Sequence, residues 1–128
     1  MPDEIEIFVP IYPPSANMIW RNRKGTNLPY LAKPYRLFKT AVERVVNGYK
    51  MPADWRFCEV ELILHPTRRA GDEDNRIKPV LDALTRAHFW ADDSCVARVM
   101  CRFGRVDKTG SVCILVRKCD VKFPIEGD

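Results

Sequence analysis

The segment that decides the fold reads GDEDNRIKPVLDAL over residues 71–84 and continues as FWADDS over residues 89–94. It opens with two carboxylates one residue apart, Asp72 and Asp74, and a lysine, Lys78, follows four residues after the second. An apolar helix pattern comes next, and a second acidic pair lies beyond it. The segment therefore carries both a structural element and a candidate site for chemistry.

A helix is predicted from Ile77 to Phe89, because its apolar residues recur at three- and four-residue spacing. Pro79 would clash with the carbonyl four residues earlier if the helix began at Asn75, so we expect a kink or a start near Arg76. The same spacing predicts a first helix from Lys33 to Tyr49. Its apolar stripe is predicted to be Leu37, Phe38, Ala41, Val42, Val45 and Val46.

Four strands are predicted from alternating or short continuous apolar runs, at residues 4–9, 57–64, 96–106 and 111–119. The sequence Asp-Lys-Thr-Gly at residues 107–110 is a plausible hairpin turn between the last two. The element order is then β-α-β-α-β-β. This order predicts an α/β (α+β) domain of two layers, with a mixed four-stranded sheet and two main helices.

Length and composition favour a single domain over residues 1–128. The five cysteines are odd in number and form no CxxC, which argues against a disulfide framework and a structural zinc and favours a reducing compartment. There is no basic N-terminal region of a signal peptide and no apolar run near the ~20 residues of a membrane span. We therefore expect a cytoplasmic protein without a membrane partner.

A basic stretch at residues 20–25 shows neither helical nor strand periodicity and is predicted to be a loop. It could follow a phosphate backbone with Trp20 available for stacking, or it could be an ordinary solvated loop with Trp20 packed on the core. The net charge of +4 fits an anionic partner but is also common without one. The candidate DNA-binding residues are Arg21, Arg23, Lys24, Arg68 and Arg69.

The first acidic group can hold a divalent cation. In an extended segment, Asp72 and Asp74 project to the same side, and paired carboxylates suit Mg²⁺ or Mn²⁺. Lys78 lies one helical turn beyond Asp74 and can face the same way to contact a phosphate. Helix capping, worth about 0.3–1 kcal/mol, is the structural alternative for the first group, and a polar turn is the alternative for Asp92 and Asp93. Spacing alone leaves both interpretations open.

The two segments together closely resemble the RusA family of Holliday junction resolvases. That family shows the pattern D-x-D-N-x-x-K-x-x-x-D-A-L, followed by an aromatic residue and D-D before a strand. Pro13-Pro14-Ser15 with Asn17 is also similar to the opening loop of the family. The resemblance implies a homodimeric, Mg²⁺- or Mn²⁺-dependent endonuclease of DNA recombination and repair. Such an enzyme nicks a four-way DNA junction symmetrically, and a prophage origin is plausible.

The resemblance also implies roles for individual residues. The catalytic aspartates of the family match Asp72, Asp74 and Asp93, which would also be the metal ligands, and its functional lysine matches Lys78. Glu73 adds a carboxylate at a position where the family varies. The basic run before the motif, Arg68 and Arg69, is shorter than in the bacterial-type member. Possible accessory residues are Asn75, Asp82 and Asp92.

Two other functions fit part of the pattern. A protein that binds branched DNA without cutting it would need the basic loops but not the carboxylates, and a glycosyltransferase with a DxD motif would need a longer chain. Within the nuclease interpretation, a helix of roughly 14 residues is about 20 Å long and separates Asp74 from Asp93. Either the strand after Asp93 folds back along the helix, or the site is shared between subunits.

Overall fold

Two helices pack on one face of a four-stranded sheet, and two short strands pair separately. The computed structural model describes residues 3–22, 25, 29–68 and 74–120, with Met18 and Asp74 described by their backbone alone. The predicted fold class, a two-layer domain with a mixed four-stranded sheet and two main helices, is confirmed. The strands are β1 (Glu4–Val9), β2 (Trp20–Asn22), β3 (Pro29–Leu31), β4 (Phe57–His65), β5 (Val96–Phe103) and β6 (Ser111–Cys119); the helices are α1 (Lys33–Val46) and α2 (Ile77–Arg86); short 3-10 turns cover Ala16–Met18, Asp74–Arg76 and Asp93–Cys95.

The sheet has the spatial order β1-β6-β4-β5. Strand β6 is antiparallel to both of its neighbours, whereas β4 and β5 are parallel, with Cys58 beside Val96 and Leu64 beside Phe103. Parallel neighbours need a crossover connection of a dozen or more residues, usually a helix. Helix α2 supplies that connection, and its position in the fold follows from the parallel pair.

The predicted hairpin between β5 and β6 is wrong. The turn itself is present, because Gly110 N donates to Asp107 O at 2.9 Å and Gly110 adopts a φ of +78°. Asp107 Oδ1 also accepts from Thr109 N at 3.1 Å, which stabilises the turn. However, β5 and β6 lie on opposite sides of β4 and do not pair. The turn residues specify a local reversal of the chain, but they do not specify which strands become neighbours.

The core lies between the sheet and both helices. In β4 the apolar residues of the predicted alternation are fully buried, and the intervening residues are half-buried. In α1 the buried residues are Tyr35, Phe38, Val42 and Val46, whereas Leu37 and Val45 of the predicted stripe are exposed. Helix α1 therefore presents a narrower apolar stripe to the core than the sequence pattern predicts. The central core residues of β4 are Cys58, Val60, Leu62 and Leu64.

Both helices end three residues before their predicted ends. Asn47 caps α1 in the left-handed conformation, with a φ of +47°, and its N–H donates to Glu43 O at 2.8 Å. After α2, His88 has a φ of +61° and Phe89 N donates to Leu84 O at 3.0 Å. Strand β5 is also shorter and ends at Phe103.

Helix α2 begins where the proline allows it to begin. Arg76 occupies the N-cap position and Pro79 falls in the first turn. The first four N–H groups of a helix have no partner within the helix, so the missing donor of Pro79 leaves no hydrogen bond unmade. The expected start near Arg76 is confirmed. The N-cap residue of α2 is Arg76, which makes no side-chain capping hydrogen bond.

The loop predicted at residues 20–25 is wrong over Trp20–Asn22, which forms β2 and pairs antiparallel with β3. The three residues of β2 are all exposed, so no alternation of polar and apolar residues marks the strand. Ala32 N donates to Ile19 O at 2.9 Å and extends the pairing towards α1. We refer to these strands as the β2–β3 pair.

All five cysteines have free thiols. Among the residues that the structure describes, no helix is long and apolar enough to span a membrane.

Ion pairs cross the outer face of the sheet, the face opposite the helices. Arg117 of β6 donates to Glu4 of β1 at 2.7 Å and to Glu61 of β4 at 3.0 Å. Arg102 of β5 also donates to Glu61, at 3.0 Å. These hydrogen bonds, from Arg102 first and then Arg117, hold the pKa of the Glu61 carboxyl below its ordinary value. One chain of ion pairs thus links all four strands.

Glu61→Gln should lower the free energy of unfolding by about 1 kcal/mol or less at pH 7, because the ion pairs are partly exposed. A lowered folded-state pKa stabilises the fold above the ordinary glutamate pKa of about 4.3, and this contribution is lost as pH falls through the folded-state value. The difference between variant and wild type should therefore shrink in acid. Urea unfolding as a function of pH measures it, with Glu59→Gln on the same strand face as control. A difference that stays constant from pH 7 to pH 3 contradicts this account.

Candidate active site

The first acidic group lies at the start of α2. Strand β4 leads towards it, and Asp74 opens the 3-10 turn that runs into the helix. Asp72 and the side chain of Asp74 lie outside the described residues. Asn75 is half-buried in the turn, and Lys78 is exposed on the first turn of α2. The predicted catalytic lysine is therefore accessible at the end of the helix that carries Asp74.

Arg76 connects this turn to the N-terminal loop. Its Nη1 donates to Pro13 O at 3.1 Å, and its Cζ lies 5.2 Å from the ring centroid of Tyr12. Burial raises the pKa of the Tyr12 hydroxyl, and the nearby Arg76 charge partly opposes that shift. Arg76 Nε is buried without a hydrogen-bond partner among the described residues. Arg76 was not predicted, because Pro13 is 63 positions away in the sequence.

Asp82, a predicted accessory residue, ties the two helices together. Its Oδ2 accepts a short hydrogen bond from the hydroxyl of Tyr35 in α1 and a second one from Arg86 Nε at 2.8 Å. Tyr35 is fully buried, and burial followed by the Asp82 hydrogen bond raises the pKa of its hydroxyl. The contacts of Asp82 are thus directed towards α1 and the end of α2.

The second acidic pair follows the other end of α2. Asp92 is the N-cap of a 3-10 turn and Asp93 is its first residue, and both are exposed. The segment before them is fixed, because Trp90 Nε1 donates to Thr85 Oγ1 at 2.7 Å and Met51 N donates to Phe89 O at 3.0 Å. A cavity of about 570 Å³ opens beside this segment. Its lining includes His88, Trp90, Asp92 and Cys95.

The two acidic groups lie beyond opposite ends of α2. The helix has 10 residues rather than the predicted 14 or so, which corresponds to about 15 Å. Val96 begins β5 beside Cys58, at the start of β4, and only Phe103 reaches Leu64 near the end of β4. The strand after Asp93 therefore runs back along the helix without bringing Asp93 itself to the helix start. Among the side chains described, no group of three or more His, Cys, Asp or Glu could hold a metal ion.

The candidate DNA-binding residues belong to two different parts of the fold. Arg21 is exposed on β2 and is not without an interaction partner. Arg68 is exposed shortly after the end of β4. Arg23, Lys24 and Arg69 lie outside the described residues.

Comparison with known proteins identifies the family. The family model described as "Endodeoxyribonuclease RusA" matches residues 10–117. The chain belongs to the RusA family. The family predicted from the sequence is thus confirmed, and its match includes both acidic groups, Lys78 and the β2–β3 pair.

Individual RusA relatives agree with the family model. The chain is 33% identical over 92 residues to the crossover junction endodeoxyribonuclease RusA of Escherichia coli (strain K12), and the same holds for the Shigella sonnei (strain Ss046) protein. It is 31% identical over 87 residues to the crossover junction endodeoxyribonuclease of Enterobacteria phage 82. Each alignment covers 66% of this chain and 71% of the relative.

Arg76→Ala should lower the free energy of unfolding by about 1–3 kcal/mol, because it removes a charged donor and leaves the Pro13 carbonyl without that hydrogen bond. Urea unfolding measures the change. Arg36→Ala, at an exposed position of α1, is the matched control and should change stability by less than about 0.5 kcal/mol. Equal losses in the two variants would show that the contact with the N-terminal loop does not stabilise the fold.

Proposed function

We propose that this chain is a crossover junction endodeoxyribonuclease, which cuts four-way DNA junctions by paired, symmetric nicks. The observation that carries the proposal is the family match over residues 10–117. The relatives from Escherichia coli, Shigella sonnei and Enterobacteria phage 82 are each named crossover junction endodeoxyribonuclease. The exposed Lys78 and the exposed Asp92–Asp93 pair add accessible groups suited to phosphodiester chemistry.

We further propose that Asp72, Asp74 and Asp93 hold Mg²⁺ or Mn²⁺. Carboxylate oxygens are the hard ligands that these ions prefer, and the exposed carboxylate of Asp93 fits that donor set. The bound ion would supply an activated water and neutralise charge that develops on the phosphate. Lys78 offers its ammonium group to the same phosphate. The backbone of the DNA would be held by Arg21, Arg23, Lys24, Arg68 and Arg69.

In a homodimer, one subunit would supply the ligands before α2 and the other subunit would supply Asp93. One metal ion cannot bind ligands that lie beyond opposite ends of a helix about 15 Å long. A two-fold axis that pairs two α2 helices antiparallel brings Asp74 of one subunit beside Asp93 of the other. The four-way junction is itself two-fold symmetric, so an assembly with two equivalent sites matches the two cuts.

Asp93→Asn should abolish cleavage of a mobile four-way junction in Mg²⁺ while leaving junction binding intact. Loss of a ligand should exceed the roughly 10–100-fold effect of losing an outer partner of a metal ligand. Product formation on denaturing gels and gel-shift affinity measure the two properties, and chelation of divalent ions should stop the wild type. Asp3→Asn, an exposed carboxylate at the start of β1, is the control. Junction binding by the wild type without any product in Mg²⁺ supports a non-catalytic DNA-binding protein instead.

The shared site makes a separate prediction for mixed dimers. Inactive Asp72→Asn and Asp93→Asn proteins are combined and allowed to exchange subunits. One of the two sites in each heterodimer then contains only unmodified ligands, so single-strand nicking of the junction should reappear. A nicked-circle or single-turnover assay detects it, and each variant alone is the control. If each site is built within one chain, no mixture regains activity.

A further inference from the structure

Trp20 is exposed in a way that the other tryptophans are not. It is 50% exposed on β2, whereas Trp55 and Trp90 are 4% and 5% exposed. Large aromatic side chains that keep a face in water are frequent at binding surfaces, because they gain most from a partner that covers them. The exposed indole of Trp20 is therefore a candidate contact for a flat ligand, and its surroundings decide whether it is suited to that role.

Trp20 is backed by a cation. The Cζ of Arg86, the last residue of α2, lies 5.7 Å from the centroid of the indole ring, within the range of a cation–π contact. Asp82 accepts from Arg86 Nε at 2.8 Å and also from the buried Tyr35 hydroxyl. The guanidinium is thus anchored to both helices, and it in turn backs the indole.

The backbone beneath Trp20 is held as well. Trp20 pairs with Leu31 across the β2–β3 pair, and the neighbouring Ile19 is buried and accepts from Ala32 N at 2.9 Å. The ring is therefore preorganised from its backbone and from the cation behind it, so little conformational entropy remains to be lost when a flat ligand stacks on it. This is an arrangement suited to binding rather than an accidental exposure.

The position of the ring relates it to the proposed cutting site. Lys78, Asp82 and Arg86 follow one another at four-residue spacing and share one face of α2. The distance along the axis from Lys78 to Arg86 is about 12 Å. One continuous helix face thus runs from the proposed phosphate contact at Lys78 to the ring of Trp20.

We propose that Trp20 stacks on a nucleobase exposed at the branch point of the junction and that Asp82 is its positioning residue. Where the arms unstack at the point of strand exchange, the faces of the central bases become available to an aromatic ring. Such stacking tolerates any base, because every base has a π face. This inference rests on the proposed function and deepens it, since it assigns recognition of the branch point to Trp20 and a positioning role to Asp82, which the sequence had given only as a possible accessory residue.

The first test compares Trp20→Ala and Trp20→Phe. Trp20→Ala should weaken junction binding by roughly five- to a hundredfold, with little change for a linear duplex of the same sequence. Trp20→Phe should retain most of the affinity because it keeps an aromatic face. The fluorescence of 2-aminopurine at the branch point should change on binding to the wild type and to Trp20→Phe but not to Trp20→Ala. The same probe placed within an arm should respond alike to all three proteins.

The second test concerns Asp82 and uses the two buried tryptophans as a constant background. Acrylamide quenching of tryptophan fluorescence reports mainly on Trp20, and Trp20→Phe defines the remaining signal. Asp82→Ala should increase quenching and reduce junction selectivity, whereas Asp82→Asn keeps an oxygen acceptor and should restore part of both. Thermal unfolding of each variant shows whether it is folded. Loss of the fold would not give Asp82→Asn a junction selectivity between those of Asp82→Ala and the wild type.

The outcomes distinguish this inference from the proposed function. If the wild type cuts junctions but Trp20→Ala keeps the same preference for junction over duplex, stacking by Trp20 is overturned and the nuclease assignment stands. An identical 2-aminopurine response at branch point and arm in the wild type overturns it independently of any variant. If the wild type neither binds nor cuts a junction, both proposals fail.

Discussion

The parallel pairing of β4 with β5 is the constraint on which the rest of the arrangement depends. Parallel neighbours cannot be joined by a tight turn. The chain must therefore leave the end of β4, cross over one face of the sheet and begin β5 beside the start of β4. Helix α2 makes that crossing. The acidic groups before and after it are therefore held at opposite ends of a rigid element, a separation fixed by topology rather than by the local chemistry of either group.

Because it makes this crossing, α2 must both pack on the core and present polar residues to solvent. Val80, Ala83 and Leu84 are buried against the core, while Lys78 stays exposed on another face. Asp82 lies on the same face as Lys78, one turn further along the helix. A half-buried carboxylate is costly unless it is hydrogen-bonded, and the hydroxyl of Tyr35 and the guanidinium of Arg86 meet that need. A residue within the family motif can thus be required for the position of other groups rather than for direct contact with the substrate.

The elements with a long apolar pattern could be predicted from the sequence, whereas a short strand without one could not. Strand β4 alternates buried and half-buried residues along its whole length, and the start of α2 follows from Pro79. The strand Trp20–Asn22 was missed because all of its residues are exposed.

Contacts between residues far apart in the chain could not be predicted from the sequence either. Tyr35 and Asp82 are 47 positions apart, and Arg76 and Pro13 are 63 apart. The residues of the candidate site were predicted from their spacing together with the family resemblance, whereas the contacts around them depend on packing between distant segments. Turn residues such as Asp107 and Gly110 specify a local reversal of the chain, but strand order depends on which edge of β4 remains free.

The charges on the two sides of the sheet differ in arrangement. The ion pairs on the outer face of the sheet join two acids and two bases, Glu4, Glu61, Arg102 and Arg117, and so contribute no net charge. A polyanion on the helix side therefore responds to the local charges there. Those include Lys78 but also the acidic residues of the motif, which repel phosphate until a cation neutralises them, while Arg86 is paired with Asp82. In the proposed enzyme, a divalent ion would thus favour close approach of the phosphate as well as the reaction.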